Sequence, residues 1–467
     1  MKILLDLQGA QTQSRTRGIG RYTMSLARGI IRNAGDHEIW VGMTSGFPQT
    51  IAPIKEVLAD VLPEERMLVW STVTPTGDSY WQHDGRLRLA QVVREAFIAD
   101  LQPDLVHCSS IIEGAEENSV TTVNRYSPGV LTAATLYDLI PFLDRRYLEH
   151  TNVERWYRGR LGELRRADLL LAISESSQQE GREVLGLPAD RLVNIRTAID
   201  DVFAPLEVSP EAEAELRARY AITKPFVMYS GGVDPRKNVP GLIIAFADLP
   251  AELRASHQLA LVGSGDPQLN PQLLDLARDH GLDESDVIFT GYVSDDDMVA
   301  LYNLAEAFVF PSLHEGFGLP PLEAMSCGTP TIAADNSSLS EVIGNPDALF
   351  ATNDTAAMSS AMERVLTNET FRRDLGRRGL EHAKTFSWDD CARRALTAFE
   401  ELFAQKKVQH QAPVAPYRPR LALVTGLPLR HAPGREQLVH LVQELDHYYQ
   451  VDIVTDGDRK SVVRERV

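Results

Sequence analysis

Short apolar runs recur along the chain and alternate with longer segments that are polar or amphipathic. In the first 200 residues the runs cover 2–7, 37–41, 67–73, 104–107, 130–136 and 169–173. Runs of this length are typical of buried strands, and the segments between them have room for helices. The alternation predicts a parallel sheet with helices on both faces, which belongs to the α/β class.

The same alternation resumes after a charged helical segment at 207–219. Helical patterns extend over 355–384 and 386–406, and apolar runs cover 226–230, 258–262, 287–290 and 307–309. A chain of 467 residues is too long for one ordinary core. We therefore predict three segments, which are a first lobe, a second lobe and a C-terminal helix over 1–200, 201–385 and 386–407.

Composition narrows the class of protein. Lys and Arg number 47 against 65 Asp and Glu, and this formal net charge of -18 argues against general affinity for nucleic acid. Cys108, Cys327 and Cys391 are too scattered for a disulfide framework or a metal site, which predicts buried thiols in a reducing cytoplasm. No apolar run reaches the length of a membrane-spanning helix, and the first residues fit a strand better than a signal peptide.

A glycine-rich segment lies between the apolar run 307–309 and a helical segment that opens with two prolines. Gly316 and Gly318 let the backbone approach a ligand and direct free amides at it. Glu315 and Glu323 flank this segment. Carboxylates beside an anion site favour a ligand with hydroxyl groups as well as phosphates, such as a nucleotide sugar. The alternative is that Glu315 is a plain loop residue and Glu323 a surface residue favoured by the helix dipole.

A second glycine-rich turn follows the apolar run 226–230. Gly231 and Gly232 come first, and Arg236 and Lys237 stand where the next helix is predicted to begin. Two cations at a helix start suit a diphosphate, although a solvated turn with incidental charges contains the same residue types.

A third pair of glycines, Gly18 and Gly20, separates the first predicted strand from the first predicted helix. Three cations lie close to them in sequence, namely Arg15, Arg17 and Arg21. The glycines either admit a phosphate or sugar to the helix start or simply make a tight turn.

The segment EGFGLPPLE, from Glu315 to Glu323, resembles the Glu-x7-Glu donor signature of retaining GT-B glycosyltransferases of the family 4 type. This resemblance implies two Rossmann-like lobes that face a cleft, and a nucleotide-sugar donor with no metal or further cofactor. It implies that Glu315 contacts the transferred sugar and that Glu323 binds the ribose. The other donor-binding residues that it implies are Gly18, Gly20, Gly231, Gly232, Arg236, Lys237, Val293, Gly316, Phe317, Gly318 and Leu319.

The acidic run Asp295 to Asp297 has a competing interpretation, because Asp-x-Asp binds a divalent metal in the other major glycosyltransferase fold. The run stands where a helix is predicted to begin. Acidic residues are favoured there without any metal, so we predict helix capping.

Two predicted strand ends are candidates for the acceptor side. Tyr137 and Asp138 belong to a turn similar to the His-Asp-Leu-Ile-Pro turn of related enzymes, with tyrosine in place of histidine. That replacement leaves a backbone carbonyl, and no imidazole, beside the reacting sugar. Asp138 either orients the acceptor hydroxyl or caps the turn. His107 is either an acceptor-side residue or a core histidine.

An arginine-rich helix is predicted over 152–168, with an apolar stripe that includes Trp156, Leu161 and Leu164. It either lies on an anionic membrane surface and helps to reach a lipid-linked acceptor, or it is an ordinary solvated helix that covers the sheet.

The last residues repeat the order of the first ones. A polar linker over 408–419 precedes a strand, a glycine loop, a helix and a strand within 420–467, and Gly434-Arg435 echoes Gly20-Arg21. This length is too short for a complete domain, so we expect the start of a truncated second transferase-like module. The alternative is an appended unit that docks on the first lobe.

The glycine loops, the DLIPF turn and the apparent tandem module are most similar to bacterial multidomain transferases that build O-antigen or capsular polysaccharide. The resemblance implies retaining transfer of mannose from GDP-mannose to a lipid-linked glycan at the inner face of the cytoplasmic membrane, with a UDP-sugar as the alternative donor. The catalytic residues that it implies are Glu315, Arg236, Lys237 and Asp138. The alternative functions are a nucleotide-sugar-binding module that serves a downstream transferase module, and an epimerase of the same fold.

Overall fold

The computed structural model describes residues 1–16, 18–77, 84–115, 117–126, 129–263, 270–409, 420–425, 450–457 and 461–465. The chain divides into two compact units. The first comprises Met1–Thr135, Leu148–Leu170 and Ala395–Val467, and the second comprises Leu136–Tyr147 and Leu171–Arg394. Among the predicted features, Arg17, Gly434 and Arg435 and nearly all of the linker 408–419 lie outside the described residues. The predicted lobe boundaries stay a prediction.

The first sheet has seven strands in the order β3-β2-β1-β4-β5-β6-β7. Strands β1 to β7 are Lys2–Asp6, Glu38–Thr44, Met67–Trp70, Leu105–Cys108, Leu131–Leu136, Leu169–Ala172 and Leu192–Asn194. The pairs from β3 through β5 are parallel. Helices α1 to α6 are Gly18–Arg32, Pro48–Leu58, Asp84–Leu101, Ile140–Leu143, Thr151–Arg166 and Glu175–Leu185.

The second sheet has six parallel strands in the order β10-β9-β8-β11-β12-β13. Strands β8 to β13 are Phe226–Ser230, Gln258–Val262, Val287–Gly291, Ala307–Phe310, Thr331–Ala334 and Leu349–Phe350. Helices α7 to α11 are Pro210–Arg219, Val239–Ala247, Ala251–Ser256, Asn270–Asp279 and Asp295–Leu304. Helices α12 to α16 are Leu319–Ser326, Leu339–Ile343, Thr355–Thr367, Glu369–Ala383 and Trp388–Gln409.

In each sheet, the strand that comes first in sequence lies inside the sheet. The next two strands in sequence extend the sheet on one side of it, and the later strands extend it on the other side. The reversal falls between β1 and β4 in the first sheet and between β8 and β11 in the second. This is the order of a doubly wound Rossmann-like sheet, and the prediction of an α/β fold with two such lobes is confirmed.

The strands are buried because they carry almost continuous apolar sequence, as strands covered on both faces require. In the second sheet, Phe226, Phe308 and Phe310 are fully buried. The ring of Phe310 stacks on Tyr229 with 6.0 Å between centroids. This aromatic column lies directly beneath the ends of β8 and β11, and it gives those ends a rigid base.

The second part of α16, from Ala395 onward, belongs to the first unit. Glu400 contacts His37 at 2.8 Å, and Lys406 contacts Asp168 at 3.5 Å. In the tail, β14 and β15 cover Arg420–Thr425 and Gln450–Gly457 and pair in parallel. A third strand, β16 at Ser461–Glu465, was not predicted, and it pairs antiparallel to β15.

All three cysteines are buried and free, as predicted. Burial raises the pKa of the Cys108 thiol to about 11 and the pKa values of Cys327 and Cys391 to about 12. None of the described helices combines the length and the apolar character that crossing a bilayer demands.

A buried ion pair lies at the reversal point of the first sheet. Arg94, which is 1% exposed, donates from Nε to Asp6 at 2.9 Å and from Nη1 to the Thr122 carbonyl at 2.7 Å. Gln8 donates to the same carboxylate at 3.0 Å. The pair therefore joins the ends of β1 and β4 to helix α3.

Replacement of Arg94 by Met should destabilise the first unit by about 3 to 5 kcal/mol, because it leaves the Asp6 carboxylate buried without its cation. Urea unfolding followed by tryptophan fluorescence measures this change. Arg86→Met, at an exposed position of the same helix, is the matched control and should change stability by less than about 0.5 kcal/mol. Equal midpoints for the two variants would contradict the role of the pair.

Candidate active site

The loops that follow β8 and β11 leave the second sheet at its reversal point. Strand β8 ends at Ser230 and strand β11 at Phe310, and the two strands are hydrogen-bonded neighbours. In doubly wound sheets the connections on either side of such a point diverge and leave a crevice at the carboxyl ends of the strands, where ligands bind. The residues of these two loops are therefore the first candidates for a site.

The loop after β8 is held in one conformation by its own hydrogen bonds. Gly231 has a φ of +136°, a left-handed value that glycine permits, and Tyr229 donates to the Gly232 carbonyl at 2.7 Å. Asp234 accepts from the backbone N–H of Arg236 at 3.1 Å and from the hydroxyl of Tyr147. This turn presents Arg236 and Lys237 in succession.

The two cations share one carboxylate from the loop after β11. Arg236 Nη1 donates to Glu315 Oε2 at 2.8 Å, and Lys237 Nζ donates to Oε1 at 2.6 Å. Ser312 Oγ also donates to Oε1, at 2.5 Å. Lys237 Nζ lies 5.1 Å from the centroid of the Phe310 ring, a cation–π contact that helps to fix it. The structure thus brings into contact three charged groups that the sequence assigned to one donor site, and their role in donor binding stays a prediction.

Glu315 is 7% exposed, yet its carboxylate stays ionised. Burial alone would raise its pKa, but the charges of Lys237 and Arg236 and the bonds from Lys237 and Ser312 outweigh burial and lower it. The pKa of Arg236 is raised, because its interactions with Glu315 outweigh the desolvation that would lower it. The group therefore joins two cations to the Glu315 carboxylate, and Asp234 lies 3.7 Å from Arg236 Nε as a longer second ion pair.

The predicted amide cradle forms the start of α12. Gly318 precedes the helix with a φ of +108°, and two prolines occupy the first turn. Ser338 Oγ donates to the Phe317 carbonyl at 2.6 Å and lies 3.0 Å from the Glu315 carbonyl oxygen, which restrains the backbone on both sides of Gly316. In the described part of the chain, the amides of Gly316 to Leu319 donate no hydrogen bond to protein. Such amides are free to bind an anion.

Glu323 lies on α12 and has a partner within the protein. Tyr302 Oη donates to its Oε2 at 2.9 Å, and Ser230 Oγ lies 2.7 Å from the same hydroxyl. Burial raises the pKa of Tyr302 well above its ordinary range, so the phenol stays a donor. The carboxylates of Glu315 and Glu323 thus both accept hydrogen bonds from protein groups.

The turn after β5 packs directly on the glycine loop. A Cβ atom on Gly316 would lie 2.8 Å from the Tyr137 carbonyl oxygen and 3.0 Å from Asp138 Cβ. Ser174 Oγ donates to the Gly316 carbonyl at 2.6 Å, and Ser177 Oγ donates to the Tyr137 carbonyl at 2.5 Å. The candidate acceptor residues Tyr137 and Asp138 therefore lie against the donor loop.

Asp138 caps its own turn, which is one of the two roles predicted for it. Its Oδ1 accepts from the Ile140 N–H at 3.1 Å. Burial raises the pKa of this carboxyl, and the bond from Ile140 and the charge of Arg236 only partly offset that effect.

Several residues of the site were not predicted. Ser312 lies three positions before Glu315, and a hydroxyl so close to a buried acid is a signal that the sequence contained. Ser174, Ser177 and Glu180 lie more than 130 residues before Glu315 and have no local signal. His314 was included in the glycine-rich segment but was given no role; its Nε2 lies 2.5 Å from Glu180.

The remaining candidates for the donor and acceptor are Gly18, Gly20, His107 and Val293. Gly18, Gly20 and His107 belong to the first unit. A Cβ on Gly20 would lie 2.3 Å from the Arg15 Cα, so this glycine permits close chain packing, and a donor contact stays a prediction. His107 is buried and lies 3.0 Å from Thr135 Oγ1, in keeping with the core-histidine alternative, and burial lowers its pKa to about 4.

Val293 is buried just before α11, and Ser294 is the N-cap residue of that helix, accepting from Asp297 N at 3.2 Å. Asp297 itself accepts from Arg219 at 2.6 Å and from Tyr220 at 2.7 Å. The acidic run therefore opens a helix, with its third member engaged by neighbouring side chains. Among the described residues, no cluster of three or more His, Cys, Asp or Glu is arranged to hold a metal ion.

Replacement of Gly316 by Ala should destabilise the second unit by about 1 to 3 kcal/mol, because the new methyl group meets a backbone carbonyl that Ser177 holds in place. Thermal unfolding measures the change. Gly232→Ala is the control for stability, since a Cβ there meets nothing within 4 Å. A Gly316→Ala protein as stable as the Gly232→Ala protein would contradict the tight packing of the two segments.

Comparison with known proteins agrees with this geometry. Residues 16–203 match the model of glycosyltransferase family 4, and residues 213–382 match glycosyl transferases group 1. The serotype-specific mannosyltransferase WbdA of Escherichia coli is 39% identical over 404 residues, which is 86% of this chain and 48% of that protein. The O-antigen chain mannosyltransferase B of Escherichia coli is 34% identical over 60% of this chain and 73% of its own length.

Solved structures support the same fold. Sucrose-phosphate synthase of Thermosynechococcus elongatus has a TM-score of 0.61 at 21% identity, over 87% of this chain and 100% of that chain. HepE of Anabaena, determined with UDP and glucose, has a TM-score of 0.62 at 19% identity over the same shares. The chain spans about half the length of the WbdA proteins that it matches. With the ion group at the sheet reversal and both family matches in place, the chain belongs to the GT-B glycosyltransferases, with a family 4 domain followed by a group 1 domain.

Proposed function

We propose that the chain transfers a hexose from a nucleotide sugar to a growing glycan, with retention of configuration at the anomeric carbon. The observation that carries the proposal is the ion group at the reversal point of the second sheet, in which Arg236 and Lys237 both donate to the carboxylate of Glu315. Both cations lie at the place where a diphosphate binds in such folds, and diphosphate oxygens are strong acceptors for each of them.

The reaction needs stabilisation of the leaving group above all. When the bond between the anomeric carbon and the diphosphate oxygen breaks, negative charge develops on the diphosphate. Arg236, Lys237 and the amides of Gly316 to Leu319 are fixed before the reaction, so they stabilise that charge without reorganisation. The acceptor oxygen attacks from the same face, and its proton passes to a phosphate oxygen. No covalent intermediate on the protein is needed.

Glu315 has a limited capacity for a sugar hydroxyl. A carboxylate has about four acceptor positions, and Oε1 already accepts from Lys237 and Ser312 while Oε2 accepts from Arg236. One position on Oε2 remains for a hydroxyl of the transferred sugar, so Glu315 both orders the cations and orients the donor. Glu323 is proposed to accept from the ribose, and the backbone at Val293 to contact the base.

The acceptor is proposed to approach the turn at Tyr137 and Asp138, which packs against the glycine loop. Capping of the turn occupies one oxygen of Asp138, and its other oxygen is the one proposed to orient the attacking hydroxyl. Any contribution of Gly18, Gly20 and His107 to donor or acceptor binding is part of the same proposal.

The proposed donor is GDP-mannose, and the proposed acceptor is a lipid-linked bacterial polysaccharide such as O-antigen. Support comes from the mannosyltransferase names of the relatives at 34% to 39% identity. A cytoplasmic enzyme at the inner face of the membrane fits such an acceptor. The exposed arginines Arg155, Arg158, Arg165 and Arg166 of α5 suit an anionic surface. A downstream transferase module as partner belongs to the same proposal.

The proposal is tested with a panel of GDP- and UDP-sugars, first for thermal stabilisation of the protein and then for transfer to synthetic mannosides or lipid-linked glycans. We expect GDP-mannose to stabilise the protein and to be consumed in transfer. Arg236→Ala should reduce the rate of transfer about 100- to 1000-fold, because it removes a fixed donor to the leaving group.

Arg377→Ala is the matched control, because this exposed arginine of α15 pairs with Asp374 at the surface of the same unit. Its transfer rate should equal that of the wild type. Transfer that survives Arg236→Ala and Glu315→Ala undiminished would refute the proposal. Donor binding without transfer to any acceptor would favour the non-catalytic module, and transfer only from a UDP-sugar would reassign the donor.

A further inference from the structure

Glu180 on α6 joins the two segments that meet at the candidate site. Its Oε2 accepts from the Leu139 N–H at 3.1 Å, in the turn after β5. Its Oε1 lies 2.5 Å from Nε2 of His314, in the loop after β11. One buried carboxylate therefore fixes the backbone of the turn and the side chain of the residue directly before Glu315.

The start of α6 strengthens this connection. Ser174 is the N-cap of the helix and also donates to the Gly316 carbonyl at 2.6 Å, and Ser177 donates to the Tyr137 carbonyl at 2.5 Å. Three side chains on the first two turns of one helix thus hold both segments. Ser174, Ser177 and Glu180 are all buried at the start of α6, so the contact with Glu180 restrains the imidazole of His314.

The bond to Glu180 determines which nitrogen of His314 faces outward. An ionised carboxylate only accepts hydrogen bonds, so Nε2 must carry the hydrogen that it donates to Glu180. Within the described residues Nδ1 makes no hydrogen bond, and the side chain is 30% exposed. Nδ1 is therefore available to a ligand in the crevice.

Charged groups face the imidazole from each segment that packs against it. Glu180 faces it from α6, Asp138 from the turn after β5, and Glu315 from its own loop, while Arg236 Nη1 donates to the His314 carbonyl at 3.1 Å. Three carboxyl groups thus surround the ring, an environment that favours its cationic form.

We propose that Glu180 positions His314 so that Nδ1 of the imidazole donates a hydrogen bond to an oxygen of the nucleotide-sugar donor. His314 is then a binding residue and Glu180 a positioning residue that acts through it. The inference rests on the proposed function, because it names a further contact of the same donor site.

The hydrogen bond to Glu180 raises the pKa of His314 above its ordinary value, and burial opposes this effect without cancelling it. Below that raised pKa the ring is cationic and Nδ1 carries a hydrogen to donate. As the pH rises through it, the ring becomes neutral with its hydrogen on Nε2, and Nδ1 can only accept. The contribution of His314 to donor affinity should therefore be present at low pH and lost at high pH.

The first test is an NMR titration of the full chain labelled with ¹⁵N-histidine, in which His314→Gln assigns the resonance. We expect the wild-type pKa of His314 to lie above about 6.5. Glu180→Gln should lower it, because the amide keeps an acceptor for the Leu139 N–H but removes the charge. Glu183→Gln is the matched control, an identical change at an exposed position of the same helix, and should leave the pKa unchanged. If the pKa of His314 is the same in the wild type, in Glu180→Gln and in Glu183→Gln, the positioning role is overturned.

The second test is calorimetric binding of GDP, GDP-mannose, UDP and UDP-glucose at pH 6.0 and 8.5. We expect His314→Gln and Glu180→Gln to weaken binding of the nucleotide sugar about tenfold or more at pH 6.0, and less at pH 8.5. Weaker binding of the nucleoside diphosphate as well would identify a phosphate oxygen as the partner, and an effect on the sugar form alone would identify a sugar oxygen.

The outcomes separate the two proposals. Wild-type protein that binds a nucleotide sugar without transferring it would contradict the proposed function and leave the binding role of His314 intact. Variants that bind every probe as tightly as the wild type would overturn the inference and leave transferase activity untouched. Wild-type protein that binds none of the four probes would contradict both.

Discussion

One buried carboxylate held between two cations organises the second unit of this protein. Glu315 comes from the loop after β11, and Arg236 and Lys237 come from the turn after β8, so the ion group joins two segments that diverge from the sheet. Burying an unpaired charge costs several kcal/mol, and here each charge has its partner. The arrangement depends on the reversed strand order, because only there do neighbouring strands send their connections in opposite directions.

Around this group, side-chain hydroxyls fix the backbone. Ser338 holds the carbonyls of Glu315 and Phe317, and Ser174 holds that of Gly316. These bonds restrain the backbone that leads into α12, while the missing side chain of Gly316 lets the turn after β5 approach to contact distance. Fixed dipoles and charges that need no reorganisation are the physical basis on which leaving-group stabilisation depends. Stability and proposed chemistry therefore rest on the same contacts.

Most of the fold was predictable because it depends on local pattern. Strands β8 and β9 match their apolar runs residue for residue, and α1 buries one apolar face that includes Leu26, Ala27 and Ile30. The predicted helical segment over 355–384 is two helices, because Asn368 interrupts it and caps the second by accepting from Phe371 at 3.0 Å. Strands β7 and β13 have only three and two residues, too short for any periodicity to register.

The residues of the candidate site also fall into those that the sequence identifies and those that it does not. Its motif residues are close together in sequence and carry a recognisable spacing, so Arg236, Lys237, Glu315 and Glu323 were all identified in advance, and the structure brings the first three into contact. The residues that orient these side chains were not identified from the sequence. They are Ser174, Ser177, Glu180 and Tyr302, and they act through tertiary contacts that no local pattern encodes. The sequence also predicted that ligand hydroxyls bind the two glutamates, and that stays a prediction beside the lysine, arginine, serine and tyrosine side chains that donate to them.

The most direct measurement for this account is a crystal structure of the protein with a bound nucleoside diphosphate such as GDP. The account predicts phosphate oxygens within about 3.2 Å of both Arg236 and Lys237, at the start of α12, with Glu315 still bonded to at least one of the two cations. A diphosphate that bound at another place in the chain, or that lay in this crevice without touching either cation, would contradict it.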